Sequence, residues 1–148
     1  DPVFDKTDAL LARAIMSIGA VKGVEIGSGF KAAEMTGHQH NDFFSYQEGE
    51  ITKLTNNAGG TLGGITDGSD IILRAAVKPT PSIEKTQQTV NKSGENIEIN
   101  IEGRHDPVIV PRAVVVVEAM TSLILVDLLL KNMTAKMGNL EKVYCKNK

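Results

Sequence analysis

From about Val110 to Asn132 the sequence is almost continuously apolar, and no other stretch limits the possible folds so strongly. At helical spacing its polar residues fall on two narrow opposite faces: Glu118, Thr121 and Ser122 on one, Arg112, Asp127 and Lys131 on the other. Broad apolar flanks between thin polar stripes describe a helix covered from two sides, so the spacing predicts a helix buried between layers. The segment is near the length that spans a bilayer, but Glu118 and Asp127 inside it argue for a protein core. The expected fold class is therefore α+β, a helix-and-sheet layered sandwich.

The remaining elements supply the other layers. Leu10, Leu11, Ala14, Ile15 and Ile18 recur at helical spacing after Asp5, a candidate N-cap with Asp8 completing a capping-box-like pattern. Gly19 is placed to stop that helix. Val21 to Ile26 and Ile71 to Val77 read as strands, the second ended by Pro79 and Pro81. Residues 27–49 have no clean period and read as loop with at most fragments of structure. Thr86 to Asn91 and Asn96 to Ile101 alternate, with Ser93-Gly94 between them, and predict a β-hairpin. Residues 1–135 then form one unit, and 136–148 a polar, basic, loosely held tail. One core is what 148 residues support.

Charge and cysteine content narrow the function classes. Sixteen basic and eighteen acidic residues leave a net charge of −2, so no global field draws in nucleic acid or an anionic membrane. An anionic ligand would need a local basic cluster. The single cysteine, Cys145, excludes an internal disulfide and fits a reducing compartment. With no charged leader or apolar signal core at Asp1-Pro2-Val3, the expected location is the cytoplasm.

Three segments could carry chemistry. Gly103-Arg104-His105-Asp106-Pro107 places a guanidinium, an imidazole and a carboxylate where a strand meets the long helix, a junction that a scaffold holds in fixed geometry. Asp106, preceding a proline, is kept out of helical dihedrals. The alternative is a solvated strand-to-helix loop. Asn56-Asn57-Ala58-Gly59-Gly60-Thr61-Leu62-Gly63-Gly64 contains two glycine pairs, which serve either positive-φ turns or the approach of a planar ring or phosphate to bare backbone. It is neither a Walker loop nor a dinucleotide fingerprint. Lys78-Pro79-Thr80-Pro81-Ser82 displays an ammonium and two hydroxyls on a stiffened chain, suited to phosphate or ribityl hydroxyls, or else is an ordinary exposed turn. His38 and His40 lack a third ligand at recognisable spacing, so no metal site is expected.

In order, Val21-Lys22-Gly23-Val24-Glu25-Ile26-Gly27-Ser28-Gly29-Phe30, the Asn-Asn-Ala-Gly-Gly segment, Lys-Pro-Thr and Gly-Arg-His-Asp-Pro closely resemble the C-terminal part of chorismate synthases. The resemblance is collinear from about Asp1 to Met133. It implies an FMN-dependent lyase of the shikimate pathway, which eliminates phosphate from 5-enolpyruvylshikimate 3-phosphate in a 1,4-trans sense to give chorismate. It also implies a fragment inactive alone, because the family's two catalytic histidines lie in the other part. Gly37-His38-Gln39-His40 departs from the family's usual Gly-Ser-Glu before Asn41-Asp42.

The resemblance further implies which residues serve. Gly19, Ala20, Gly63, Lys78, Pro79, Thr80, Pro81, Ser82 and Arg104 would contact reduced FMN, with Asn57 in the same pocket. Arg104 and Lys78 would also hold the anionic substrate, and Asp106 would accept the proton. A family member either reduces its own flavin with NADPH or relies on another reductase, and is a homotetramer. Two other classes compete with the enzyme reading: a non-catalytic flavin- or phosphate-binding module, and an oligomerisation module with exposed core.

Overall fold

The computed structural model describes residues 4–104 and 108–145. Helix α1 (Thr7–Met16) forms where the apolar spacing predicts, and it buries Leu10, Leu11, Ala14 and Ile15, of which Leu11 and Ile15 are wholly enclosed. Its ends differ from expectation. The N-cap is Lys6 rather than Asp5, and no side chain caps the first turn. The Asp8 carboxylate instead accepts from the neighbouring Ala9 N–H and pairs with Lys6. At the other end the helix closes on Ser17, and the left-handed residue that turns the chain is Ala20 at φ 70°, not Gly19.

Strand β1 (Val21–Ile26) runs antiparallel to β6 (Leu73–Val77), and this ladder packs on α1. Val21 pairs with Val77 and Gly23 with Ala76, so Lys22 is an extra residue in β1 and bulges it. In β6, Leu73, Ala75 and Val77 are more covered than Arg74 and Ala76, the alternation of a ladder with one face inward. Residues 27–49 hold a 3₁₀ turn over Gly29–Glu34, a short helix α2 (Gly37–His40) and the strand β2 (Phe44–Gln47), which pairs with β3 (Glu50–Lys53). Thr36 and Gln39 form a reciprocal capping box on α2.

Two further hairpins follow, β4 (Thr61–Leu62) with β5 (Ile65–Thr66), and β7 (Gln87–Val90) with β8 (Asn96–Ile99). The second is the hairpin expected around Ser93-Gly94: Asn91 Oδ1 accepts from the Ser93 and Glu95 N–H groups, and Gly94 turns at φ 82°. Helix α3 (Val110–Thr134) is about 38 Å long at 1.5 Å per residue, with Pro111 in its first turn where a missing N–H costs nothing.

The layering is one-sided. α3 packs against α1, and its half-buried residues Ala113, Val117, Met120, Thr121, Ile124, Leu125 and Leu128 form a single stripe at helical spacing. None of its residues is buried, and Val115, Leu123 and Leu130 are each more than 60% exposed. The expected two-sided burial is absent among the described residues because α1 covers only one flank. Thr121 satisfies its hydroxyl on the Val117 carbonyl at 2.8 Å. By length and composition alone α3 could cross a membrane. Residues 137–144, read from sequence as tail, form helix α4 (Met137–Tyr144) against the end of α3.

Candidate functional site

The β1–β6 ladder sets out the candidate residues, because each end of it meets a different loop. At one end Lys78 N–H donates to the Ala20 carbonyl at 2.8 Å, extending the ladder by one bond and joining the Gly19-Ala20 turn to the Lys78–Ser82 loop. Val77, Lys78, Pro79 and Thr80 then line a hollow of about 190 Å³ with Val108, Ile109 and Val110 at the start of α3. The loop and the α3 entrance are therefore neighbours, although about 30 residues of sequence separate them. Lys78 is exposed, Thr80 half-buried, and Arg104 exposed at the end of the first described stretch. His105, Asp106 and Pro107 lie outside the described residues.

At the opposite end, about 17 Å away along five strand steps, sits the Asn56–Gly60 turn. Gly27 N–H donates to the Ile72 carbonyl (2.9 Å) and Ile72 N–H to that of Gly59 (3.2 Å), so three backbones lie side by side. The fit is closed to any side chain: a Cβ on Gly27 would stand 2.0 Å from the Asn57 carbonyl oxygen, and one on Gly59 2.3 Å from the Gly27 nitrogen. Asn56 ties the turn from within, accepting from Gly60 N–H and donating to the Asp70 carbonyl.

Asn57 is held on three sides. Its carbonyl accepts from Ser28 N–H (2.7 Å), its Oδ1 from the Ser28 hydroxyl (3.0 Å), and its Nδ2 donates to the Gln39 carbonyl (3.4 Å). Asp42 completes the grip. Its Oδ1 accepts from Asn57 N–H and the Thr55 hydroxyl, both at 2.7 Å, and its Oδ2 from Ala58 N–H at 2.9 Å. Partial burial pushes this carboxyl up, but the Ala58 N–H, the Thr55 hydroxyl, the Asn57 N–H and the Lys53 charge outweigh it, leaving Asp42 below the usual range.

Beyond that turn the β4–β5 hairpin carries Gly63 at φ 60°, and a Cβ added there would meet nothing within 4 Å. Its neighbour Gly64 accepts from Thr7 N–H at 2.9 Å, seating the hairpin on the N-terminus of α1. Lys53 pairs with Asp67 behind the hairpin, both side chains about 10% exposed or less, and that bond holds Asp67 below its ordinary value against the effect of burial. Glu25 is lowered by the Phe30 N–H and by Arg74, which also donates to the Gly27 carbonyl.

The structure thus brings Ala20, Lys78, Pro79 and Thr80 together beside the α3 entrance. Asn57 stands at the other end of the ladder, and Gly63 on the hairpin beyond it. No group of three or more His, Cys, Asp or Glu side chains among the described residues could hold a metal. Cys145 is free and exposed. Sequence reasoning passes over Asp42, whose partners lie 13 to 16 residues away and leave no local signature. The Thr36–Gln39 capping box, by contrast, is open to detection from its spacing alone.

The family model described as chorismate synthase matches residues 1–130. The chain belongs to the chorismate synthase family. It is 65% identical over 147 residues to the chorismate synthase of Lachnoclostridium phytofermentans, covering 99% of this chain and 40% of that one. The Methanosarcina barkeri chorismate synthase is 60% identical over 133 residues, 89% of this chain and 36% of the relative. A solved structure titled "Crystal Structure of Chorismate Synthase" superposes with a TM-score of 0.67 at 40% identity, over 86% of this chain and 31% of that one. The chain therefore spans about two-fifths of the length of the curated relatives it matches, and it shares their α+β fold.

Proposed function

We propose that this chain supplies the flavin-binding wall of a chorismate synthase, which converts 5-enolpyruvylshikimate 3-phosphate into chorismate with reduced FMN. The observation that carries the reading is the bond between Ala20 and Lys78 beside the α3 entrance. Family-matched motifs that lie far apart in sequence meet there.

The residues suit a flavin phosphate. Lys78 and Arg104 are exposed cations in a chain whose net charge is −2, and Thr80, which carries a hydroxyl, lines the hollow beside Lys78. Pro79 and Pro81 restrict the loop, so its donors lose little freedom when a ligand binds. Gly19 and Gly63 leave open space next to the backbone where a ring can approach. Bound reduced FMN would supply electron density that assists departure of phosphate without net redox change. Lys78 and Arg104 balance the negative charge of substrate and leaving group, Ser82 adds a hydroxyl, and Asp106 accepts the proton that the elimination releases.

The same reading places the protein in the cytoplasm and in a homotetramer, with the chemistry completed by groups that relatives carry outside the region matched here. The test joins this chain to the portion of the Lachnoclostridium phytofermentans relative that it does not cover. The joined protein should form chorismate from 5-enolpyruvylshikimate 3-phosphate and reduced FMN, while the 148-residue chain alone forms none. Asp106→Asn should lower turnover of the joined protein by about 100-fold or more. A folded, tetrameric joined protein without turnover would refute the enzyme reading, and full turnover by Asp106→Asn would refute the proton-acceptor role.

A further inference from the structure

The group that grips the Asn57 turn most completely is one that the flavin reading does not use. We propose that Asp42 is a positioning residue, whose ionised carboxylate fixes the Asn57 turn across the end of the β1–β6 ladder and releases it on protonation. Three donors converge on it: Asn57 N–H, Ala58 N–H and the Thr55 hydroxyl. An ionised carboxylate accepts all three, whereas a protonated one presents an O–H to a donor and loses at least one of them.

Asp42 is itself held from the side away from the turn. The capping box on α2 fixes Thr36 and Gln39, and Asn41 N–H closes α2 on the Gly37 carbonyl at 3.0 Å, so the next residue leaves the helix in a set direction. Asn57 is consequently clamped between two supports, Asp42 and Gln39 on the α2 side and Ser28 on the β1 side. Removal of the Asp42 support leaves two part-buried N–H groups without their acceptor.

The charged groups around this clamp are few. Lys53 on β3 favours the anion and is itself paired with Asp67; His38 and His40 belong to α2; Glu25 on β1 is paired with Arg74. His38 lies edge-on to Phe43, next in sequence to Asp42, with ring centroids 5.4 Å apart. The clamp's carboxyl sits below its usual range, so the turn stays fixed at neutral pH and opens only in acid.

The consequence for ligand binding rests on the flavin reading above; the clamp itself does not. In the 148-residue chain, the backbone amide resonances of Asn57 and Ala58 should titrate together, with a midpoint below the ordinary Asp range. Asp42→Asn should speed exchange of those two amides by about tenfold or more, leave the Lys78 amide, bonded to the Ala20 carbonyl at the far end of the ladder, protected, and weaken reduced-FMN binding by about tenfold. Asp42→Glu should recover part of each. Unchanged exchange at Asn57 and Ala58 in Asp42→Asn would overturn the proposal. A loosened turn that binds FMN as tightly as before would support the clamp and overturn only its consequence for binding. If Asp42→Asn also loses Lys78 protection, the wild-type titration decides, and flat Asn57 and Ala58 resonances through the acid range overturn the clamp. A wild-type chain that fixes the turn yet binds no FMN would support Asp42's role while refuting the flavin reading.

Discussion

Gly59-Gly60 and Gly63-Gly64 stand close together in sequence and all four turn at positive φ, yet the first pair is sealed while Gly63 of the second is open. Gly59 and Gly60 are buried, with the Gly27 and Asp70 backbones where their side chains would be. Gly63 is exposed and meets nothing. One pair exists so that backbone can touch backbone, which leaves no surface to offer a ligand. The other turns a two-residue hairpin, in which Gly63 keeps a bare face toward solvent. A glycine-rich motif is thus two devices, and only one can take part in binding.

The largest effect should come from Gly27→Ala, whose new Cβ would lie 2.0 Å from the Asn57 carbonyl. Neither backbone can yield cheaply, so destabilisation above about 4 kcal/mol is expected in denaturant titration. Wild-type stability would mean that the two backbones do not touch. Next is Lys53→Met, which strips Asp67 of its partner behind the open hairpin and should cost about 2 kcal/mol. The hairpin should then lose amide protection before the ladder does. If both melt together, the hairpin is not a separate unit.

A gentler loss is expected in acid. Glu25, Asp42 and Asp67 all have lowered carboxyl values in the fold, so their stabilisation is complete above the unfolded values near pH 4 and fades as pH falls through the lowered ones. Thermal midpoints should therefore hold from about pH 7 to 5 and drop below about pH 4. Lys53→Met should flatten that drop, because Asp67 loses its largest source of lowering. The smallest effect on folding belongs to Gly63→Ala, a left-handed alanine in open space, at about 1 kcal/mol. Its effect on flavin binding should exceed its effect on stability. The reverse order would place the open glycine outside the pocket.

Much of the fold is written in local patterns. The α1 interior, the β7–β8 hairpin with its Ser93-Gly94 turn and the full run of α3 all follow from spacing within a dozen or so residues. The start of α1 is misleading in sequence because Asp5 and Asp8 imitate a cap, while Lys6 occupies that position without one. The turn at Ala20 reads as a Gly19 turn because glycine is the ordinary left-handed residue. The two-sided cover expected for α3 follows from its composition, but the partners on one flank are not among the described elements. At the site, local patterns reveal the Lys78 loop and the glycine pairs as candidates. That Lys78 meets Ala20, that Gly27 meets Gly59 and that Asp42 grips Asn57 depend on pairings 15 to 58 residues apart. The family resemblance supplies the first of these, and nothing in the sequence supplies the last.

The most direct test of the central claim, that the Lys78 loop beside the α3 entrance faces the flavin, is a titration of the 148-residue chain with reduced FMN followed by flavin absorbance. Lys78→Met should weaken binding by about tenfold or more, and Lys131→Met, near the far end of α3, should leave it unchanged. Equal losses in the two variants, or no saturable binding by the wild-type chain, would contradict it.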